Sequence, residues 1–331
     1  MMDGNQAQDP VSAHATQWLS ESAYGLAPRL SGTPMVVGLV VVYQPDKQQL
    51  ETLVRALAPQ VALVVIVHNG SQTDSGDWQQ ETNGIATVHL GSNLGVACAL
   101  NAGFAWASTQ GAAYVLSFDQ DSEPAPDMVA QLFKAYAALE NAGHKIGAVG
   151  AQQVDHHTGR LAPFIAPIHG RRRRVFPLPN KPLEVDHLIT SGCFVPLKAW
   201  HDGGQFLDAL FIDYVDIEWC LRLRSQGWKF FGVAEANLMH SIGVGVKRIG
   251  SRQVAWHGPL RHYFLFRNGV YLQKLPYIGL WWKLSDAWQL VKKLIFFGLV
   301  ARPRSAHVRA ILIGLHDGWR GQLGPNRTPF E

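Results

Sequence analysis

Two carboxylates, Asp119 and Asp121, stand on either side of Gln120 where the apolar run "AYVLSF" (113–118) gives way to the polar "DQDSEPAP" (119–126). On extended backbone, residues i and i+2 point to the same side, so both acids are expected to face one crevice. Two anions so close repel unless a cation sits near them. A hard divalent ion with oxygen ligands, Mg²⁺ or Mn²⁺, shared with substrate phosphates, is the natural partner. The plain alternative is a solvated turn with an N-capping Asp. A second acidic site lies in "VDIEWCLRLR" (215–224), where Asp216 and Glu218 fall at a helix entry, a position that favours negative charge. There a carboxylate either caps the helix and pairs with Arg222 and Arg224, or takes a proton from an attacking hydroxyl as a general base. His240 follows a strand pattern in "NLMHSIGVG" (237–245). It either packs or completes a metal site with Asp121. Ser191, Gly192 and Cys193 supply small residues for a turn that either closes a β-structure or approaches a ligand. "RRRR" (171–174) reads as a solvated loop, or as a clamp for diphosphate or acidic lipid.

These groups need elements to carry them. "MVVGLVVVY" (35–43), "VALVVIV" (61–67), "ATVHL" (86–90), "AYVLSF" (113–118) and "IGAVGA" (146–151) read as strands, the first two as continuous apolar runs of buried type. Between them, 45–58, with Pro45 at an early position, 93–109, entered through Asn93, and 126–143 read as helices. Alternating strands and helices predict a parallel α/β sheet covered on both faces, with ligands bound beyond the carboxyl ends of the strands. Tyr43, His68, Asn69, Asn93 and the Asp119–Asp121 segment all fall at such ends. Further along, 160–182 is predicted as a basic, Pro-rich loop, 185–200 as strand, tight turn and strand, 213–228 as an amphipathic helix, and 229–245 as another strand. No internal repeat is visible.

The 331 residues are 47% hydrophobic and 16% charged, enough for a large core. The net charge of +4 hides a polarity. Residues 241–331 hold 14 Lys+Arg against 3 Asp+Glu, and the first 240 hold 15 against 22, so an acidic body of −7 carries a basic tail of +11. From Trp256 to Trp319 the tail holds five of the eleven tryptophans, mixed with Lys283, Lys292 and Lys293. Such segments lie in membrane interfaces or pack as helical subdomains. No recognised binding motif accompanies the basic patch, which argues against nucleic acid. The three cysteines are scattered without CxxC, so neither a disulfide framework nor a zinc site is expected. Residues 1–34, rich in Gln, Ala, Ser and Pro, read as a flexible extension without the pattern of a signal peptide, and no window is apolar enough for a transmembrane helix.

In order, "VVVYQPD" (40–46), "VIVHNGSQTD" (65–74), "NLGVACALNAG" (93–103), "FDQDS" (118–122), "LITSGCFVP" (188–196), "YVDIEWCLRLRSQGW" (214–228) and "HSIG" (240–243) resemble the family-two inverting glycosyltransferases of GT-A fold, and "FDQDS" their rhamnosyltransferase-like branch. The resemblance covers roughly residues 35–245 and implies an α/β GT-A domain, a mainly parallel mixed sheet flanked by helices. Residues 246–331 are expected to form a C-terminal helical, aromatic and basic appendage that associates with a membrane, and the resemblance covers the aromatic tail more loosely. It implies that Val41, Tyr43, Asn69 and Asn93 line the nucleotide pocket, and that Asp119, Gln120, Ser191, Gly192 and Glu218 serve the donor. Asp121 becomes the principal metal ligand with His240 as a second, and Asp216 the base, with Glu218 a weaker candidate. His68 stands where many relatives carry an acid that grips the base. The implied reaction is a single displacement assisted by Mg²⁺ or Mn²⁺, moving L-rhamnose from dTDP-L-rhamnose to a hydroxyl of a lipid-linked cell-surface glycan such as O-antigen. The implied setting is the cytoplasm, peripherally on the inner face of the cell membrane at an anionic lipid surface. The rivals are a transferase using a UDP- or GDP-sugar, a nucleotidyltransferase, and a non-catalytic, membrane-associated sugar-nucleotide-binding protein. "YQPDKQQ" (43–49) lacks the Gly-rich basic loop of a nucleotidyltransferase, and the presence of Asp121, Asp216 and His240 counts against a non-catalytic role.

Overall fold

The computed structural model describes residues 34–70, 84–155, 158–168, 171–240, 246–249, 252–255 and 258–326. The proposed N-terminal extension lies, but for Pro34, outside the described residues, as do the side chains from His240 to His257.

The strands β1 (Val36–Val42), β2 (Leu63–His68), β3 (Ile85–His89) and β4 (Tyr114–Asp119) are mutually parallel in the order β3-β2-β1-β4. The helices α1 (Lys47–Leu57) and α2 (Val96–Thr109) connect them, and α3 (Met128–Asn141) leads to β6 (Ile146–Asp155). Alternate side chains explain the layering. Val37 and Leu39 of β1 join a core that includes Leu100 and Phe104 of α2. Val40 and Val42 join another that includes Leu50 and Leu53 of α1 and Leu132 of α3. The Ala-rich α2 lies close on β1, because a Cβ on Gly103 would come within 2.2 Å of Leu39.

Helix α1 begins at Lys47, with the Asp46 carboxylate accepting the Gln49 N–H at 2.9 Å, so Pro45 precedes the cap rather than opening the helix. Helix α2 begins after Gly95, and Asn93 sits in the preceding loop.

Beyond β4 the sheet is mixed, as the resemblance implied. Strand β10 (Cys193–Pro196) inserts antiparallel between β4 and β6. Strand β11 (Lys229–His240) runs parallel to β6, and antiparallel to β5 (Ser122–Pro124) and β9 (Leu183–Val185). The sheet is therefore mixed and mainly parallel. Of the strand, turn and strand expected over 185–200, residues 186–190 are loop and the second strand forms as β10, after which the chain turns directly into α4 (Leu197–Gly203), and α5 (Val215–Ser225) follows.

The expected loop at 160–182 contains a hairpin of β7 (Phe164–Ile168) and β8 (Arg171–Val175). The four-arginine run is strand, and Arg172 turns inward. It pairs with Asp186 at 3.2 Å and lies over the Trp282 ring at 5.0 Å, so it is not free to act as a clamp.

The tail begins with a second hairpin, β12 (Val246–Ile249) and β13 (Arg252–Ala255), before α6 (Pro259–Lys274), α7 (Leu280–Val300) and α8 (Arg304–Arg320). Helices α6 and α8 touch backbone to backbone. A Cβ on Gly314 would meet the Tyr263 carbonyl at 2.5 Å, and one on Gly318 the Arg267 carbonyl at 2.3 Å. Among the described residues no helix is long and apolar enough to cross a membrane.

Candidate active site

The carboxyl ends of β1, β2 and β4 converge on one crevice. Val41 and Asp119 are in register on β1 and β4. Just beyond, the Tyr43 N–H donates to the Gln120 side-chain carbonyl at 2.8 Å, so the residue between the two acids ties the β1 exit to the β4 exit. Gln120 and Asp121 form a turn leading into β5, not extended chain. The i, i+2 expectation that both carboxylates share a side therefore does not apply to this turn.

Asn69 and Asn93 hold each other. The Asn69 amide donates to Asn93 Oδ1 at 3.1 Å and its Oδ1 accepts the Leu94 N–H at 2.8 Å, while Asn93 Oδ1 also accepts the Gly95 N–H at 3.0 Å. They shape the loop that enters α2. His68, buried at the end of β2, stacks on His89 of β3 with ring centroids 4.8 Å apart. Burial lowers the His89 pKa, which keeps that ring neutral.

Ser191 is buried and works as a tie. Its hydroxyl lies 2.6 Å from that of Ser122 and accepts the Asp119 N–H at 3.2 Å. Gly192, at φ 77°, donates its N–H to the Ser117 carbonyl at 2.8 Å. A Cβ there would meet Ala151 and Leu238 at 2.9 Å, so this turn needs glycine. His240 ends β11, and its backbone lies across from Ser122, the neighbour of Asp121. Its side chain is outside the described residues. Among those described, no group of three or more His, Cys, Asp or Glu is arranged to hold a metal ion.

Asp216 enters from the other side, in the first turn of α5. Its Oδ1 accepts the Ile217 N–H at 2.8 Å. Burial pushes its pKa up to about 6, against the pull of that N–H, and the negative charges of Asp119 and Asp213 push it further in the same direction. Desolvation thus outweighs both the hydrogen bond and the helix N-terminus. The residue as a whole is half-buried, so it keeps a side open to solvent from which a hydroxyl could approach. Glu218, the other candidate, is buried and committed elsewhere. It accepts Arg222 Nε at 2.8 Å and the Tyr277 hydroxyl at 2.6 Å, while Arg222 also reaches the carbonyls of Gly203 and Gln205. Glu218 builds the helix rather than the crevice.

The segment before Asp216 is strained. Phe211, Asp213 and Tyr214 have φ of 67°, 60° and 64°, a conformation costing non-glycine residues about 1–3 kcal/mol each. The Phe211 carbonyl accepts the Val96 N–H at 2.7 Å, and a Cβ on Gly95 would sit 2.6 Å from it. The α2 entry and the Asp216 segment therefore interlock. Sequence reasoning missed Asp213, Ser122 and His89. The two acids of "DYVD" (213–216) were the available signal for Asp213.

Residues 39–195 match the model of Glycosyl transferase family 2. The dTDP-rhamnosyl transferase RfbF of Shigella flexneri is 27% identical over 297 residues, covering 88% of this chain and 98% of that protein. Among solved structures, S. aureus TarS 1–349 in complex with UDP-GlcNAc aligns with a TM-score of 0.52 at 14% identity, covering 86% of this chain and 81% of that one. GalNAc-T7 with UDP, GalNAc and Mn²⁺ aligns at 0.51 and 13% identity, covering 84% of this chain but only 59% of that one. At those identities the likeness is one of fold.

Proposed function

We propose that this chain, which matches the model of Glycosyl transferase family 2 over residues 39–195 and is similar to a dTDP-rhamnosyl transferase, moves L-rhamnose from dTDP-L-rhamnose onto a hydroxyl of a lipid-linked cell-surface glycan, with inversion and with Asp216 as the base. The observation that carries the reading is the Asp216 carboxyl in the first turn of α5, its pKa raised to about 6 by burial and by the nearby charges of Asp119 and Asp213. A carboxylate tuned toward neutral pH takes a proton more readily than an ordinary one. The choice of donor rests on the relative, whose name is dTDP-rhamnosyl transferase. Val41, Tyr43, Asn69 and Asn93 line the nucleotide side in this reading, with Asp119, Gln120, Ser191 and Gly192 shaping the floor beneath the donor.

In this reading a divalent cation would sit at the β4 end, where Asp119 and Asp121 flank Gln120. Asp119 raises the Asp216 pKa, so the field there is negative, which is what draws a hard cation with oxygen ligands. Asp121 would hold it, with His240 from the adjacent end of β11. Mg²⁺ or Mn²⁺, when bound, offsets the charge of the departing nucleoside diphosphate. The protein's own part is to hold the acceptor hydroxyl against Asp216 and take its proton.

The same reading places the enzyme peripherally on the inner face of an anionic membrane. Helix α7 exposes Leu280, Trp281, Leu284, Trp288, Ile295 and Leu299, a helical stripe of large apolar side chains between 52% and 73% exposed. Such a face with flanking lysines suits a lipid headgroup boundary. Truncating the chain at about residue 277 would strip α8 from α6 and damage the fold, so point substitutions are the proper test. Trp281→Ser with Trp288→Ser should abolish sedimentation with anionic vesicles; retained sedimentation removes α7 as the contact.

The decisive experiment is a turnover screen of dTDP-, UDP- and GDP-sugars with Mg²⁺ or Mn²⁺. dTDP-L-rhamnose should be consumed fastest, and consumption should vanish in Asp216→Asn while dTDP still binds. Preference for a UDP- or GDP-sugar overturns the donor, and turnover of no donor at all favours the non-catalytic alternative.

A further inference from the structure

The C-terminal helices grip the segment that delivers Asp216 almost residue by residue. Asn268 of α6, fully buried, donates its side-chain amide to the carbonyls of Leu210, Ile212 and Asp213 at 2.9, 2.7 and 2.9 Å. Arg267, also fully buried, reaches the Leu210 carbonyl at 2.8 Å and donates Nε to the Asn268 Oδ1 at 2.8 Å, which locks the amide in its donating orientation. Phe264 stacks on Phe211 with centroids 4.9 Å apart. Arg261 pairs with the Asp213 carboxylate at 3.2 Å. From α7, Asp286 accepts the Tyr214 hydroxyl at 3.1 Å. These contacts bear on the segment with three consecutive-to-near positive φ values, which no local sequence preference sustains.

We propose that α6 is a positioning clamp for the base, with Asn268 as its central residue and Arg261 as its outer one, so that the C-terminal helices are part of the catalytic apparatus and not only an appendage. This rests on the reading of Asp216 as base. Asn268 acts through the backbone carbonyls of 210–213 and Arg261 through the Asp213 carboxylate, and hence both act on the angle at which Asp216 is presented. An amide serving three carbonyls in a buried site has no substitute in water, so its loss frees the segment to relax from its left-handed geometry. A displacement of the base of that order acts on the chemical step and leaves donor binding alone.

The experiment compares Asn268→Ala and Arg261→Gln with wild type in the release of nucleoside diphosphate from the best donor of the screen, with donor KM, dTDP affinity and thermal unfolding measured in parallel. Asn268→Ala should lower kcat at least tenfold and Arg261→Gln about threefold, both with donor KM and dTDP affinity within twofold of wild type. Arg261 is half-exposed, so its variant folds and decides the matter if Asn268→Ala does not. A kcat within twofold of wild type in the folded variants overturns the clamp, and so does a parallel loss of kcat and dTDP affinity, which marks general damage. Normal turnover in Asp216→Asn instead refutes the base itself, whatever the clamp variants do.

Discussion

Replacing Asp216 with Asn should make the protein more stable while stopping the reaction. The amide keeps the oxygen that accepts the Ile217 N–H and removes only the charge. Burial, with Asp119 and Asp213 adding to it, lifts the carboxyl from 3.8 to about 6. About two units at about 1.4 kcal/mol each make the ionised form cost about 3 kcal/mol of folding free energy. This is an upper bound, because the residue as a whole is only half-buried. The sign follows from proton linkage. The folded pKa lies above the unfolded one, so the folded chain binds this proton more tightly. Wild-type stability from this group is greatest below about pH 4, declines between about 4 and 6, and is lowest above that. Asn does not titrate. Urea midpoints at pH 7.5 should therefore favour Asp216→Asn by up to about 3 kcal/mol, and the advantage should shrink to less than half of that at pH 4.5. A variant no more stable than wild type at pH 7.5, or one whose difference is the same at both pH values, refutes the claim that the crevice holds a desolvated charge.

Three further outcomes follow from the same geometry. Turnover of the wild type should fall as pH drops, to about half at pH 6 and about a tenth at pH 5, because Asp216 accepts a proton only when ionised; a kcat/KM profile flat to pH 5 contradicts this. Asp121→Asn should raise the Mg²⁺ or Mn²⁺ concentration needed for half-maximal turnover at least tenfold, read from a metal titration, and an unchanged requirement removes Asp121 as a ligand. Gly103→Ala, whose Cβ would meet Leu39 at 2.2 Å, should destabilise the protein by about 1–3 kcal/mol in urea unfolding, whereas a neutral effect would show that α2 can lift from β1 at little cost.

Periodicity marked the elements that bury an apolar face locally. The runs at 35–43, 61–67 and 113–118 are β1, β2 and β4, and the Ala-rich 93–109 is α2, shortened at its start because Asn93 bonds Asn69 and Gly95 instead of capping. What stayed illegible depends on distant partners. Nothing in "CFVP" (193–196) announces that it runs antiparallel between β4 and β6. The "RRRR" strand is hidden by residues whose inward member, Arg172, is paid for by Asp186 and Trp282 from other elements. At the site, the strand-end rule pointed to Asp119 and the helix-entry pattern to Asp216 and Glu218; the resemblance preferred Asp216, and the contacts of Arg222 and Tyr277 show Glu218 committed elsewhere. The left-handed Phe211, Asp213 and Tyr214 are invisible to local reasoning, because contacts from Val96 and α6 impose their geometry.

The tail's charge has to be reweighed in that light. Part of its +11 never faces outward. Arg267 is fully buried against backbone carbonyls, and Lys293 is desolvated, its pKa lowered by burial against the opposing pull of Asp286 and Asp213. Attraction to anionic lipid is therefore weaker than the sequence count implies. The apolar stripe of α7 gains weight in its place, since burying Trp281, Trp288 and Leu299 draws on area that salt does not screen. If lipid contact runs through that stripe, vesicle binding should persist when salt is raised well above physiological strength and be lost in the tryptophan variants. Binding that salt abolishes while the tryptophan variants keep it would return the role to the basic residues.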